Sequence, residues 1–237
     1  MRVLYRIQRL LAVGVMGVGI CASLPAATIF DNSVNDLATR FNPGILEVGD
    51  EIMLAGTDRY LTGFSFEYWG VSTAADPNTF GGAVQARVQF YVNNGAPFNG
   101  YATPSTTSFY NSDWFAVGPT ALLGRNTLNF TAGADNIPVG GLFLPSSDMT
   151  WSVQFRNMAG TDTVGVDLYS PPIVGTEVGD FGDYWEFNGG WRLLTNTVSR
   201  MDFAAKFDAV PEPSSLVLSL CGGLGILTLA YRLRRKS

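Results

Sequence analysis

Residues 149–156 read MTWSVQFR, and the pattern in this stretch decides how the rest of the chain is interpreted. Every second residue in it is apolar: Met149, Trp151, Val153 and Phe155. Because successive side chains of a β-strand point to opposite faces of a sheet, the alternation predicts a strand with one buried face and one wet face. Residues 62–68 and 201–207 alternate in the same way, as do shorter runs at 88–92 and 164–168. These patterns predict strands rather than helices.

Turn-forming residues separate the alternating runs. Asparagine and glycine cluster at residues 93–95, 140–141 and 188–190. These residue types reach positive φ at little energetic cost, so the clusters predict tight turns between strands. The clearest predicted hairpin joins residues 184–187 to residues 191–194 through the last cluster.

The region from residue 28 to residue 209 is therefore predicted to form one all-β domain. The spacing of its strands and turns is typical of two packed antiparallel sheets, so we expect an antiparallel β-sandwich of the jelly-roll kind. We see no internal repeat, which weighs against a propeller or a solenoid. We also see no second linker, and hence expect no second folded domain.

Charge and residue usage exclude several classes of function. Residues 31–212 hold all 20 acidic residues and eight of the basic ones, a net charge of −12. Such a surface repels phosphate backbones and anionic lipid headgroups, so we expect no nucleic-acid partner and no direct docking of the domain on a membrane. The chain has no histidine, and its two cysteines, Cys21 and Cys221, lie outside this region. The commonest general base, metal ligand and nucleophile pairs are missing, so we expect neither an enzyme nor a bound cofactor.

Residues 1–27 have the three-part layout of a secretory signal peptide. Three arginines precede an apolar run from Leu10 to Ile20, and small residues follow it up to Ala27. The apolar run is too short to span a membrane, and its order of charged, apolar and small segments is typical of export signals. We expect a signal helix here, with cleavage near Ala26 or Ala27.

Residues 210–237 form a second apolar terminus of a different kind. Pro211, Glu212 and Pro213 are followed by an apolar run at about residues 214–231. As a helix, those 18 residues would span about 27 Å, nearly the thickness of a hydrocarbon core. The chain then ends in a basic tail containing Arg232, Arg234, Arg235 and Lys236. Positive charge stays on the cytoplasmic side, so we expect a transmembrane helix that holds the domain outside.

This tail resembles the PEP-CTERM sorting signal in its order of a Pro-Glu-Pro motif, an apolar run and a basic end. The resemblance implies that an exosortase, a membrane-embedded processing enzyme, recognises Pro211, Glu212 and Pro213. It also implies transfer from the inner membrane to the cell surface or medium in bacteria that make exopolysaccharide. The two prolines favour extended geometry in the motif, which suits recognition by such an enzyme. The region ahead of the tail is similar to domains of unknown role in other PEP-CTERM proteins.

Within the domain, two groups of residues are candidates for ligand binding. Trp185 and Trp191 flank the predicted hairpin turn, and flat aromatic faces can stack on sugar rings. Glu177, Asp180 and Asp183 are weak candidates for a calcium site, since carboxylates suit that ion but no defined calcium loop is present. A glycosidase would need two carboxyl groups across a cleft, and nothing in the sequence singles out a pair.

The sequence thus predicts an exported cell-envelope protein, a structural or adhesive component associated with exopolysaccharide. The alternative is a carbohydrate-binding module that recognises the extracellular polymer.

Overall fold

The computed structural model describes residues 25–72, 76–120, 124–179 and 182–212. Sixteen strands run through these residues in the order β1 (Ala27–Asn32), β2 (Asp36–Phe41), β3 (Glu47–Met53), β4 (Tyr60–Val71), β5 (Gln85–Phe98), β6 (Tyr101–Pro104), β7 (Tyr110–Asn111), β8 (Phe115–Ala116), β9 (Asn126–Thr131), β10 (Leu142–Phe143), β11 (Asp148–Arg156), β12 (Thr163–Tyr169), β13 (Thr176–Glu177), β14 (Asp183–Phe187), β15 (Trp191–Thr195) and β16 (Ala205–Val210). The described part of the chain contains no helix, so the prediction of an all-β domain is confirmed.

The strands form two sheets in which every pairing is antiparallel. The first sheet has the order β1-β16-β4-β12-β2, with β9 and β10 also paired to the long strand β4. The second sheet has the order β15-β14-β3-β11-β5-β6, with β13 paired to β3 and both β7 and β8 paired to β5. Consecutive strands β3, β4 and β5 alternate between the sheets, so the chain repeatedly crosses the core between them.

Aromatic side chains from both sheets meet in the main core between them. Phe64 of the first sheet lies 5.5 Å from Trp151 and 5.1 Å from Phe90 of the second, measured between ring centroids. All four apolar residues of the 149–156 stretch are buried, as its alternation predicts. Each such side chain contributes about 1.5–3 kcal/mol to folding through its removal from water.

The residues that alternate with the core-facing ones are less exposed to water than the sequence predicts. Thr150 is fully buried and Gln89 is 8% exposed, although both point away from the core. The outer face of the second sheet is its face turned away from the first sheet. The β14–β15 hairpin and the ribbon formed by β5 and β6 lie at the two edges of the second sheet. They meet over part of its outer face, where Trp191 packs with Tyr91 and contacts Ser105.

One predicted turn is wrong and another is confirmed. Residues 93–95 lie inside strand β5, and the chain instead turns at Asn99 and Gly100, which both have positive φ. A Cβ on Gly95 would lie 2.7 Å from the carbonyl oxygen of Thr103, so this glycine permits close approach within the ribbon. The β14–β15 hairpin forms as expected, with Phe187 opposite Trp191.

Both ends of the described chain lie at one end of the first sheet. Ala27 is the Cα partner of Ala209, and Val210 is the partner of Tyr60. Tyr60 is in turn the partner of Phe143 on its other side. We call this row of strand ends the exit end, because the chain leaves the last strand here.

The predicted signal helix and transmembrane helix fall on residues 1–24 and 213–237, outside the described residues. Among the residues that are described, the structure has no helix with the length and apolar character needed to cross a membrane.

Candidate functional site

The predicted sorting motif begins directly after the last strand. Pro211 is partly exposed, Glu212 is exposed, and neither belongs to a regular element. Strand β16 keeps its pairing with β4 up to Val210, directly before the motif. Pro213 and the basic residues Arg232, Arg234, Arg235 and Lys236 lie outside the described residues.

The two tryptophans predicted to stack on sugars are buried. Trp185 is 0% exposed and Trp191 is 8% exposed. They pack with Tyr91 into a small second core on the outer face of the second sheet, with Tyr91 and Trp191 rings 5.0 Å apart. The indole N–H of Trp191 donates to the carbonyl oxygen of Ser105, which ties the hairpin to the segment after β6. This burial argues against the predicted stacking role, since a sugar could reach either ring only if the cluster opened.

Two glutamates lie beneath this aromatic cluster. Glu47 accepts hydrogen bonds from the hydroxyls of Tyr91, at 2.7 Å, and Ser152, at 2.6 Å. Glu51 is 5% exposed and accepts a hydrogen bond of 2.9 Å from the indole N–H of Trp185. Burial, opposed by the Trp185 donor, raises the pKa of Glu51 to about 7. The side chain also lines a cavity of about 10 Å³, room for a single water molecule.

Of the three acidic candidates for a calcium site, the two described ones have different partners. Glu177 interacts with Asp50, while the Asp183 carboxylate accepts a hydrogen bond from Thr195 on the neighbouring strand. Burial, followed by the negative charge of Asp50, raises the pKa of Glu177 well above its usual range. Asp180 lies outside the described residues. Within the described ranges, no group of three or more acidic side chains has the geometry to hold a metal ion.

A charged network occupies the outer face of the first sheet. Arg125 pairs with Asp36 at 2.6 Å and with Glu67 at 3.1 Å, and Arg40 pairs with Asp167 at 3.3 Å. Burial, opposed by the positive charge of Arg40, raises the pKa of Asp167 to about 6. These opposite charges satisfy one another, so the network is best explained as a structural link among strands β2, β4 and β12.

Trp114 is an aromatic side chain that a ligand can reach from solvent. It lies between β7 and β8 and stays partly exposed. The guanidinium carbons of Arg87 and Arg156 lie 4.8 and 3.9 Å from its ring centroid. Arg87 is the Cα partner of Gln154, two residues before Arg156, so both arginines rise from the same face of the second sheet. The indole therefore rests on the sheet through two cation–π contacts, which hold it in place.

Polar side chains around Trp114 are also fixed in position. Arg87 donates to the side-chain oxygen of Gln154 at 2.7 Å, and Arg156 donates twice to Gln85, at 2.7 and 2.9 Å. A rigid aromatic surface beside ordered amide and guanidinium groups matches the chemistry of a sugar, which has an apolar ring face and a polar rim. We call this group, formed by Trp114, Arg87, Arg156, Gln85 and Gln154, the Trp114 platform.

Sequence reasoning singled out Trp185 and Trp191, which are buried, and did not single out the partly exposed Trp114. Trp185 and Trp191 flank a hairpin turn, which predicts exposed side chains. The ribbon formed by β5 and β6 packs against them and buries both. Trp114 carries a different signal, since it follows Asn111, Ser112 and Asp113 in a polar segment with no alternating pattern. A tryptophan in such a segment has no strand face on which to be buried, and this is what favours exposure.

Comparison of the chain with protein-family models, curated proteins and solved structures finds no match.

Proposed function

We propose that this chain is an exported cell-envelope protein of the PEP-CTERM type, which an exosortase processes and which then acts as a structural or adhesive component with exopolysaccharide. The observation that best supports the proposal is the position of the motif. Strand β16 holds the chain in the sheet up to Val210, and the exposed Glu212 follows two residues later. An enzyme at the membrane face could therefore engage the motif without unfolding the domain.

The positions of the two chain ends support the same arrangement. Ala27, beside the expected signal cleavage site, is the Cα partner of Ala209, which lies just before the motif. Both ends of the domain therefore lie on one side, which is compatible with a signal peptide and a C-terminal anchor that enter the same membrane.

The domain is proposed to be a jelly-roll-like β-sandwich. Its two antiparallel sheets meet through one aromatic core, and strands β3, β4 and β5 alternate between them. Such a domain needs neither disulfide nor metal to close its core, which suits a passive component of an extracellular matrix.

The test is the mass of the mature C-terminus in the native bacterium. Replacing Pro211→Ala together with Glu212→Ala should leave export and insertion intact, because the apolar run and basic tail govern insertion. The variant should accumulate at full length in the inner membrane, as the wild-type chain should in a strain without its exosortase. Ser214→Ala with Ser215→Ala is the matched control and should mature normally. An intact Arg234-Arg235-Lys236-Ser237 end on wild-type protein in its final location would contradict sorting.

A carbohydrate-binding role is the second candidate, and the Trp114 platform is the observation that favours it. Trp114→Ala should abolish saturable binding of the purified protein to the host exopolysaccharide, while Trp114→Tyr should retain part of it. Tyr60→Ala removes a partly exposed aromatic from the other sheet and is the control. Equal binding by Trp114→Ala and wild type would remove this candidate and leave the structural role.

A further inference from the structure

The exit end carries an exposed aromatic pair beside the point where the chain leaves the domain. Phe143 is 46% exposed, and its ring lies 5.5 Å from that of the partly exposed Tyr60. Leu61, the next residue along β4, is fully buried, so Tyr60 and its partner Phe143 face outward. Neither ring belongs to the main core.

Strand register fixes how close this pair lies to the exit of the chain. Tyr60 is the Cα partner of both Phe143 and Val210, so the three residues form one row across neighbouring strands. Adjacent strands are about 4.8 Å apart, which places the Cα atom of Phe143 about 10 Å from that of Val210. Only residues 211–213 separate Val210 from the apolar run. Four residue steps reach at most about 14 Å.

A basic residue, Arg59, directly precedes Tyr60 in the chain. The guanidinium group of Arg59 donates to the backbone carbonyls of Asp58, Gly56 and Ala55, at 2.7, 2.9 and 3.4 Å. These contacts hold the guanidinium group at the turn that leads into β4. Aromatic rings and arginine are the side chains that favour the boundary between lipid headgroups and hydrocarbon.

We infer that Tyr60, Phe143 and Arg59 form a surface that rests on the bilayer where the C-terminal tail enters it. This inference depends on the proposed membrane anchor and adds an orientation to it. With the exit end against the headgroups, the Trp114 platform on the second sheet stays free to meet polymer. The sequence-based expectation that the acidic domain avoids the membrane then applies to the rest of its surface and not to this end.

Photo-cross-linking tests the orientation with little change to the surface. Three proteins are made, each retaining the C-terminal tail and each carrying the photoreactive residue p-benzoylphenylalanine at one position. The position is Phe143 or Tyr60 in the two test proteins and Ile45 in the control. Ile45 is 66% exposed and precedes the start of β3, at the end of the domain opposite the exit end. Each protein is placed in nanodiscs of phosphatidylethanolamine and phosphatidylglycerol, irradiated and analysed by mass spectrometry.

We expect lipid adducts at positions 143 and 60 and none above background at position 45. Absence of adducts at 143 and 60 in a protein that stays in the nanodisc would overturn the inference while leaving the anchor intact. Equal adducts at all three positions would also overturn it. Failure of the chain to enter the nanodisc at all would instead contradict the proposed anchor, and with it the inference.

Discussion

Glu51 offers a quantitative test of the second core. Its carboxyl group lies under the aromatic cluster, and burial is the largest cause of its raised pKa, from an ordinary value of 4.5 to about 7. The Trp185 N–H favours the charged form, and the nearby carboxylate of Asp148 disfavours it. The folded protein therefore holds this proton at pH values where the unfolded chain has released it.

The sign of the effect follows from this difference. Between pH 4.5 and 7 the folded state binds more protons than the unfolded state, so stability falls as the pH rises. A pKa difference of about 2.5 units corresponds to about 3 kcal/mol, at 1.36 kcal/mol for each unit. Glu51→Gln keeps an acceptor for Trp185 but cannot ionise. The variant should lose none of this stability, so its advantage over wild type should grow by about 3 kcal/mol between pH 4.5 and 7.5.

Urea unfolding of residues 27–212, measured at half-unit pH intervals, gives the free energy of unfolding for both proteins. Taking the difference between variant and wild type removes the contributions of other buried acids, such as Asp50 and Asp167. Glu186→Gln, on the neighbouring hairpin strand, corrects for the loss of one negative charge. A constant difference between Glu51→Gln and wild type across this pH range would refute the reasoning and show that Glu51 is not buried as described.

Two further predictions concern the fold. Gly95→Ala should destabilise the domain by about 1–3 kcal/mol in urea unfolding, because the new Cβ would lie 2.7 Å from a backbone oxygen in the ribbon. The control is Gly118→Ala, whose Cβ would have no atom within 4 Å and which should change stability by less than about 0.5 kcal/mol. Equal effects of the two substitutions would contradict the close approach at Gly95. Residues 28–209 hold no cysteine and should fold in a reducing cytosol to a soluble β-rich domain. Substantial helix by circular dichroism, or a requirement for added metal, would contradict this prediction.

Local periodicity determined much of the architecture. The alternation in residues 149–156 predicts a strand with a fixed core face, and Trp151 is fully buried in the structure. The hairpin from Tyr184 to Leu194 likewise follows from two short strands and an Asn-Gly-Gly turn. Both signals involve residues close together in sequence, where backbone geometry alone sets which side chains share a face. The sorting tail is also local, and its interpretation depends entirely on the order of its three segments.

Only the tertiary structure decided which outer-face side chains are covered. Trp191 is buried through its contact with Ser105, 86 positions away, and no pattern near Trp191 indicates that contact. Glu177 meets Asp50 because the short strand β13 pairs with β3, and no pattern near Glu177 indicates that contact. Trp114 is held by Arg87 and Arg156 from two different strands. Alternation shows which side chains point outward, but whether water or another segment lies over them depends on how distant parts of the chain pack.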